Sequence, residues 1–130
     1  MNKEVVREII KTRISTFAND LQEGVKIPDT VIEEILDNAI WAPTHGLSQT
    51  WEFRVFTEDG VTRFFTKSQQ VYKEITPEER FRQEKFDKYM DKVNKVSHVI
   101  AIIVRRDPKK RFPKLEDIVS TACALQNIYI

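Results

Sequence analysis

The sequence is poor in cysteine and glycine, and it has almost no excess of charge of either sign. The single cysteine, Cys123, excludes an internal disulfide and a metal site built from several cysteines. The three glycines are scattered, so the Gly-x-Gly-x-x-Gly loop of dinucleotide-binding folds is absent. Lys and Arg (21) nearly balance Asp and Glu (20), and this near-neutral charge gives no reason to expect a nucleic-acid partner.

Long hydrophobic runs are absent as well. The longest apolar run, residues 99–104, is far shorter than a membrane span, and the N-terminus lacks the apolar core of a secretion signal. The 130 residues, 41% hydrophobic and 32% charged, are typical of one globular domain. We therefore expect a single cytoplasmic domain over residues 1–130, with no membrane partner.

The spacing of apolar residues predicts several helices and two strands. The strands are Trp51–Thr57 and Ser97–Arg105, and the second is apolar enough to be buried on both faces. The first helix should bury one apolar stripe, formed by Val5, Val6, Ile9 and Ile10. Helices are predicted over Lys3–Thr12, from Pro28 to the proline at 43, in a short segment around Phe64, over residues 77–95 and over residues 115–129.

Two strands are too few for a stable fold of this kind. An isolated two-stranded sheet is marginal, and an apolar second strand needs a neighbour on each side. The last helix also reaches Ile130 without a glycine cap or a basic last turn. We expect either residues beyond Ile130 or a partner chain to supply further strands.

A short polar segment directly follows the first helix. It consists of Arg13, Ile14 and Ser15. The arginine fork suits phosphate, and the serine hydroxyl can bond a phosphate or sugar oxygen. By itself the tripeptide is better explained as the solvated end of a helix with a basic last turn.

Residues 41–51 hold the densest group of candidate ligand-binding side chains. Trp41 precedes the loop, the second helix stops at Pro43, and the loop after the proline presents His45, Ser48 and Gln49. Such a loop can hold a planar heteroaromatic ligand through its donors and acceptors; the alternative is a polar loop with one histidine. His98, within the second strand, is interpreted as a core histidine.

A third polar segment, residues 105–111, is a run of basic residues. A phosphate or nucleic-acid site is one interpretation, but no aromatic residues are interleaved, which favours a solvated loop. Cys123 lies on an apolar helix face and is interpreted as a packing residue. No Ser-His-Asp set, carboxylate pair or His-x-x-x-His spacing is present, so neither a catalytic side chain nor a metal site is expected.

Together these motifs resemble the FMN-dependent nitroreductase family, and most closely its small, single-domain NAD(P)H-dependent members. The order is Arg13-Ile14-Ser15, then Ala42-Pro43-Thr44-His45, then Gln49-Thr50-Trp51-Glu52-Phe53. Two positions depart from the family pattern. Ile14 replaces a basic residue, and Thr50 replaces a proline.

The resemblance implies an α+β fold, a three-layer α-β-α sandwich whose mixed sheet is flanked by helices. This chain would form its N-terminal two-thirds, so the fold is incomplete in it. The resemblance further implies a homodimer with FMN at the interface. Arg13 and Ser15 would hold the phosphate and ribityl chain with Ile14 beside them, and His45 and Gln49 would approach the flavin across the interface, with Trp41 preceding their loop.

The implied activity is transfer of hydride from NAD(P)H, through the flavin, to a small-molecule acceptor such as a nitroaromatic or a quinone. The chemistry would be carried by the cofactor, which agrees with the absence of a recognisable catalytic side chain. Two alternatives stay open. One is a flavoenzyme of the same fold with another reaction, such as dehalogenation or desaturation; the other is a truncated, non-enzymatic interaction protein.

Overall fold

A computed structural model describes residues 2–130, in which five α-helices and two β-strands form an α+β fold. The predicted fold class is confirmed at this level. Four short 3-10 turns lie between these elements. In chain order the elements are α1 (Lys3–Thr12), α2 (Asp29–Ile40), β1 (Trp51–Thr57), α3 (Asp59–Ile75), α4 (Gln83–Asp87), β2 (His98–Val104) and α5 (Lys114–Tyr129).

The two strands pair with each other in a two-stranded sheet. The pairing is antiparallel, because the backbone N–H of Arg105, just after β2, donates to the carbonyl of Thr50, just before β1, at 2.7 Å. Both predicted strands are confirmed to within one residue at each end. Burial of β2 on both faces is not observed: its residues 98–103 are half-buried, because β1 is its only sheet neighbour among residues 2–130.

The chain divides into two compact units. The first contains the residues up to Ser15, Pro28–Arg54 and Ala101–Ile130; the second contains Thr16–Ile27 and Val55–Ile100. In the first unit α2 packs on α5. Small and branched residues make this contact close, with Ile32, Ala39, Ala42 and Ala124 all buried.

In the second unit the C-terminal half of α3 carries an aromatic cluster centred on Tyr72. The ring of Tyr72 stacks on Phe81 with 5.5 Å between centroids, and Tyr89 lies 5.9 Å away. The hydroxyl of Tyr72 also accepts a hydrogen bond from the backbone N–H of Arg82 at 3.0 Å. The segment that follows α3 therefore folds back over the Tyr72 ring.

This folding back corrects two predictions. The helix around Phe64 is not short but extends for 17 residues as α3, and the long helix predicted over residues 77–95 is absent. That segment instead forms a 3-10 turn, the five-residue α4 and a second 3-10 turn. Arg82 is extended between them, which lets its N–H reach Tyr72 and interrupts the helical hydrogen bonds.

The apolar stripe of α1 is exposed, so the prediction that it is buried is wrong for this chain. Val5, Val6, Ile9 and Ile10 form this α1 apolar face, and they are 38–59% exposed. The bounds of α1 are nevertheless as predicted. The side chain of Asn2 accepts from the N–H of Glu4 at 3.0 Å and caps the helix. Within residues 2–130 no element covers the α1 apolar face.

Candidate functional site

The predicted phosphate-binding residues lie at the C-terminal end of α1. Arg13 caps the helix, its backbone N–H donating to the carbonyl of Ile9 at 3.2 Å. Its guanidinium lies 5.6 Å from the ring centre of Tyr129, at the end of α5. Ile14 is 78% exposed and Ser15 is also exposed. Arg13 makes no salt bridge with a carboxylate within residues 2–130, so a cation and a hydroxyl are both available here.

Trp41 caps the other helix of the site. Its backbone N–H donates to the carbonyl of Asn38 at 3.3 Å, which closes the last turn of α2. Its indole is 79% exposed. The helix does not continue through Pro43, because a proline disfavours helical geometry at the residue before it. An exposed aromatic ring therefore stands at the entrance of the following loop.

The loop between α2 and β1 is held by the side chain of Thr44. Its hydroxyl accepts a hydrogen bond from the backbone N–H of Gln49 at 3.0 Å and shares another with the hydroxyl of Ser48 at 2.9 Å. These bonds stabilise left-handed backbone at Leu47 and Gln49, whose φ angles are 54° and 42°. The side chain of Gln49 is left exposed, where its amide can meet a ligand.

His45 is fixed by two neighbours. Its ring stacks on Phe112 with 3.7 Å between centroids and 19° between planes. Its Nδ1 lies 2.5 Å from the Oε2 atom of Glu116, in the first turn of α5. Nε2 has no hydrogen-bond partner among the residues that the structure describes, and 58% of the side chain is exposed. The ring is therefore positioned by the protein, and one of its nitrogens is available to a ligand.

Gly46, next to His45, allows this contact with Phe112. Its φ angle is +58°, and a Cβ atom at this position would lie 2.9 Å from Cζ of Phe112. A side chain here would displace the ring on which His45 stacks. Glycine is therefore favoured at position 46 both by the positive φ angle and by the lack of space for a side chain.

Below the loop lies a buried polar cluster that the sequence analysis did not identify. The Asp117 carboxylate, only 1% exposed, pairs with Nη1 of Arg106 at 2.9 Å. The carbonyl of Asp117 accepts from the hydroxyl of Thr121 at 2.9 Å and from that of Thr50 at 3.2 Å. Thr50, where the family pattern has a proline, thus connects the start of β1 to α5.

The spacing of residues in the sequence of α5 could have indicated this cluster. Asp117, Thr121 and Ala124 follow the spacing of one helical face, and all three are buried. An acid and a hydroxyl on the same face as a buried alanine indicate a polar contact within the core. The apolar pattern of residues 115–129 predicts the helix but not this polar contact.

The basic run 105–111 is largely neutralised by carboxylates. Arg105 pairs with Glu52, which also pairs with Arg54 at 2.8 Å, and Arg111 pairs with Asp107 at 2.9 Å. The hydrogen bond from Arg54 is the main reason that the pKa of Glu52 is lowered. The pKa of Asp107 is likewise lowered, chiefly by the hydrogen bond from Arg111. These pairs favour the interpretation of the run as a solvated loop over a phosphate or nucleic-acid site.

The predicted site residues form two groups at opposite ends of α5. Arg13 lies against Tyr129 at its C-terminal end, and His45 contacts Glu116 in its first turn. Thirteen residues separate these positions along α5, which corresponds to about 20 Å at the helical rise. Trp41 precedes the loop that contains His45, and Gln49 lies within that loop. Ile14 and Ser15 directly follow Arg13. One chain therefore does not bring the two groups together.

Neither a metal cluster nor a membrane-spanning helix is found in the described part of the chain. Residues 2–130 contain no group of three or more His, Cys, Asp or Glu side chains arranged to hold a metal ion. None of the helices in that range is long and apolar enough to cross a bilayer.

The family model described as "Nitroreductase family" matches residues 23–130. The chain belongs to this family. It is 26% identical to the Bacillus subtilis (strain 168) protein named "Putative NAD(P)H nitroreductase YfhC", over 97% of this chain and 62% of that protein. It thus spans about 62% of the length of this curated relative.

Solved structures show the same fold. A nitroreductase-like family protein from Bacillus cereus superposes with a TM-score of 0.72 at 19% identity, covering 95% of this chain and 62% of that one. A structure described as a "putative nitroreductase in complex with FMN" from Desulfovibrio desulfuricans gives a TM-score of 0.64 at 19% identity, covering 95% and 59%. The predicted nitroreductase-like fold is thereby confirmed.

Proposed function

We propose that this chain is part of an FMN-dependent NAD(P)H oxidoreductase of nitroreductase type, acting on a nitroaromatic, a quinone or a similar acceptor. The observation that carries the proposal is the pair of exposed polar groups at the two ends of α5, at the positions where the resemblance expects flavin contacts. Membership of the family, the name of the Bacillus subtilis relative and the FMN complex of a structural neighbour support it.

The residues at the end of α1 suit the phosphate end of FMN. Arg13 is an exposed cation without a carboxylate partner in the described chain, and an arginine fork can bond two phosphate oxygens at once. The hydroxyl of Ser15 can donate to a phosphate or ribityl oxygen. Ile14 lies between them and presents an exposed apolar side chain where the family pattern has a cation.

The residues of the loop suit the ring system of the flavin. When bound, FMN supplies the hydride-transfer chemistry, and no protein nucleophile is required. His45 offers Nε2 from a ring held by Phe112 and Glu116, and Gln49 offers an amide that can donate and accept. The held ring of His45 would help to orient a planar ring, and the exposed indole of Trp41, four residues before His45, offers further apolar surface.

The separation of the two groups supports the proposal of a homodimer. We propose that each FMN is held by Arg13 and Ser15 of one chain and by His45 and Gln49 of a second. Burial of the α1 apolar face, whose four residues are 38–59% exposed, would contribute to the free energy of association. We further propose that residues 1–130 act as one cytoplasmic domain of this dimer.

Flavin binding is tested by titrating the apoprotein with FMN and following flavin fluorescence and the visible spectrum. Arg13→Ala is expected to weaken FMN binding by about 10- to 100-fold, since a charge-assisted hydrogen bond contributes roughly 1.5–3 kcal/mol. Arg7→Ala is the matched control, an exposed arginine of α1 outside the motif, and should leave the affinity unchanged. Absence of FMN uptake by the full-length protein contradicts the proposal.

The reaction is tested separately with the FMN-loaded protein. NADH or NADPH is supplied with a nitroaromatic and, in parallel, with menadione as a quinone. We expect consumption of the nicotinamide to depend on the acceptor. FMN binding without turnover of either acceptor would instead favour another flavin reaction or a non-enzymatic role.

A further inference from the structure

The second unit contains an open groove that the proposed flavin site does not use. It has a volume of about 1340 Å³ and is formed by α3 and by the segment that folds back over Tyr72. We name it the cationic groove. Its floor is apolar and aromatic, with Phe56, Phe64, Val71, Tyr72, Ile75 and Tyr89.

Charge is segregated in this unit. Residues 16–27 and 55–100 contain ten Lys or Arg and ten Asp or Glu, so the unit as a whole is neutral. Six of these cations line the groove, whereas only one of the acids, Glu79, does so. The six are Arg63, Lys67, Arg80, Arg82, Lys85 and Lys92. A neutral unit therefore presents a locally positive surface.

These cations are not engaged in ion pairs with carboxylates of residues 2–130. None of the six forms a salt bridge within the described part of the chain. Two of them lie instead over aromatic rings: Nζ of Lys85 is 4.9 Å from the ring centre of Tyr72, and Nζ of Lys92 is 5.7 Å from that of Tyr89. These cation–π contacts hold the ammonium groups at the floor of the groove and leave their charge uncompensated by a carboxylate.

The floor also exposes apolar surface that a ligand could cover. Val71 and Ile75 are one helical turn apart on α3 and are 37% and 73% exposed. An apolar floor is typical of small-molecule sites, and the six cations that line this groove add an unusually high positive charge to it. The volume exceeds the roughly 300–1,000 Å³ of typical sites, so the groove admits an extended molecule.

From this combination we infer that the cationic groove binds a soluble amphipathic organic anion, with an apolar or aromatic body and a carboxylate, sulfonate or phosphate group. The body lies on Val71 and Ile75, and the anionic group meets the cations that line the groove. Charge complementarity favours this occupant over a neutral one, because six cations and only one carboxylate, that of Glu79, line the groove, and a neutral apolar molecule would leave this excess of positive charge unpaired.

Two dyes that differ in one charge test the inference. 8-Anilinonaphthalene-1-sulfonate carries a sulfonate on an aromatic body, and N-phenyl-1-naphthylamine has the same ring system without it. The 130-residue chain is titrated with each dye by fluorescence, and amide NMR shifts locate the bound dye. We expect the sulfonate to bind at least about fivefold more tightly, to weaken as salt is added and to shift the amides of α3.

Variants of exposed residues separate the contributions of charge and apolar surface. Arg80→Gln combined with Arg82→Gln should weaken binding of the sulfonate by about tenfold and leave the neutral dye unaffected. Ile75→Glu should weaken binding of both dyes. Lys73→Gln is the matched control, a cation of α3 outside the groove, and should change neither affinity.

Three results would overturn the inference. The first is equal affinity for the two dyes, and the second is amide shifts confined to the α1 apolar face. The third is cosedimentation of the chain with phosphatidylglycerol vesicles that is lost in Ile75→Glu, which would assign the groove to a membrane surface. All of these measurements are made without flavin, so they are independent of the proposed enzymatic function.

Discussion

Removing the cation of the buried Arg106–Asp117 pair should destabilise the chain substantially. In Arg106→Gln the Asp117 carboxylate, 1% exposed, loses the guanidinium that lies 2.9 Å away. Breaking a buried pair from one side typically costs about 3–5 kcal/mol. Nη1 of Arg106 is buried together with the carboxylate, but the two atoms do not meet in hydrogen-bond geometry and the arginine side chain as a whole is 37% exposed, so we expect about 2–3 kcal/mol. Urea denaturation followed by circular dichroism gives this free energy of unfolding.

The neighbouring arginine provides the control. Arg105 is 66% exposed and pairs with Glu52, so Arg105→Gln should cost less than about 1 kcal/mol. Replacing both members of the buried pair, in Arg106→Gln with Asp117→Asn, should restore part of the loss because no unpaired charge is then buried. Equal destabilisation by Arg105→Gln and Arg106→Gln would refute the reasoning that burial decides the cost.

Two further predictions concern the loops beside this pair. Gly46→Ala should lower the free energy of unfolding by about 1–3 kcal/mol, because left-handed backbone is unfavourable for alanine and the new Cβ would lie 2.9 Å from Phe112. Gly24→Ala is the control, because its backbone is also left-handed but no atom lies within 4 Å of the new Cβ. It should cost only about 1 kcal/mol in the same urea assay. The lowered pKa of Asp107, held chiefly by Arg111, means that its contribution to stability is complete above its ordinary pKa of 3.8 and is lost as the pH falls below that value. Asp107→Asn should therefore reduce the acid dependence of the unfolding free energy, and an unchanged pH profile would contradict this assignment.

The sequence predicts the elements whose signals are local. α1 and β1 have the predicted bounds, and α2 begins directly after Pro28, because capping residues, prolines and apolar alternation act within a few positions of the chain. The segment after α3 could not be predicted in this way. Its helix is interrupted by the bond from the N–H of Arg82 to the hydroxyl of Tyr72, ten residues away, and by the aromatic packing around that ring.

The candidate site shows the same limit. The motifs identify which polar residues to consider, and the structure leaves Arg13 and Gln49 exposed. The motifs do not reveal that Glu116, 71 residues further along the chain, holds His45, since that contact depends on the position of α5. Nor could they show that Arg106 is engaged in a buried pair, because a basic run looks the same whether its carboxylate partners are near or absent.

Arg13 and His45 contact opposite ends of α5, and this separation has a consequence for any sample of the proposed dimer. Two polypeptides would share each flavin, so cofactor and subunit association are linked by mass action. Dilution that separates the chains would also release FMN, and added FMN would oppose dissociation. The yellow colour of a concentrated preparation would then fade with dilution more steeply than a one-chain site allows.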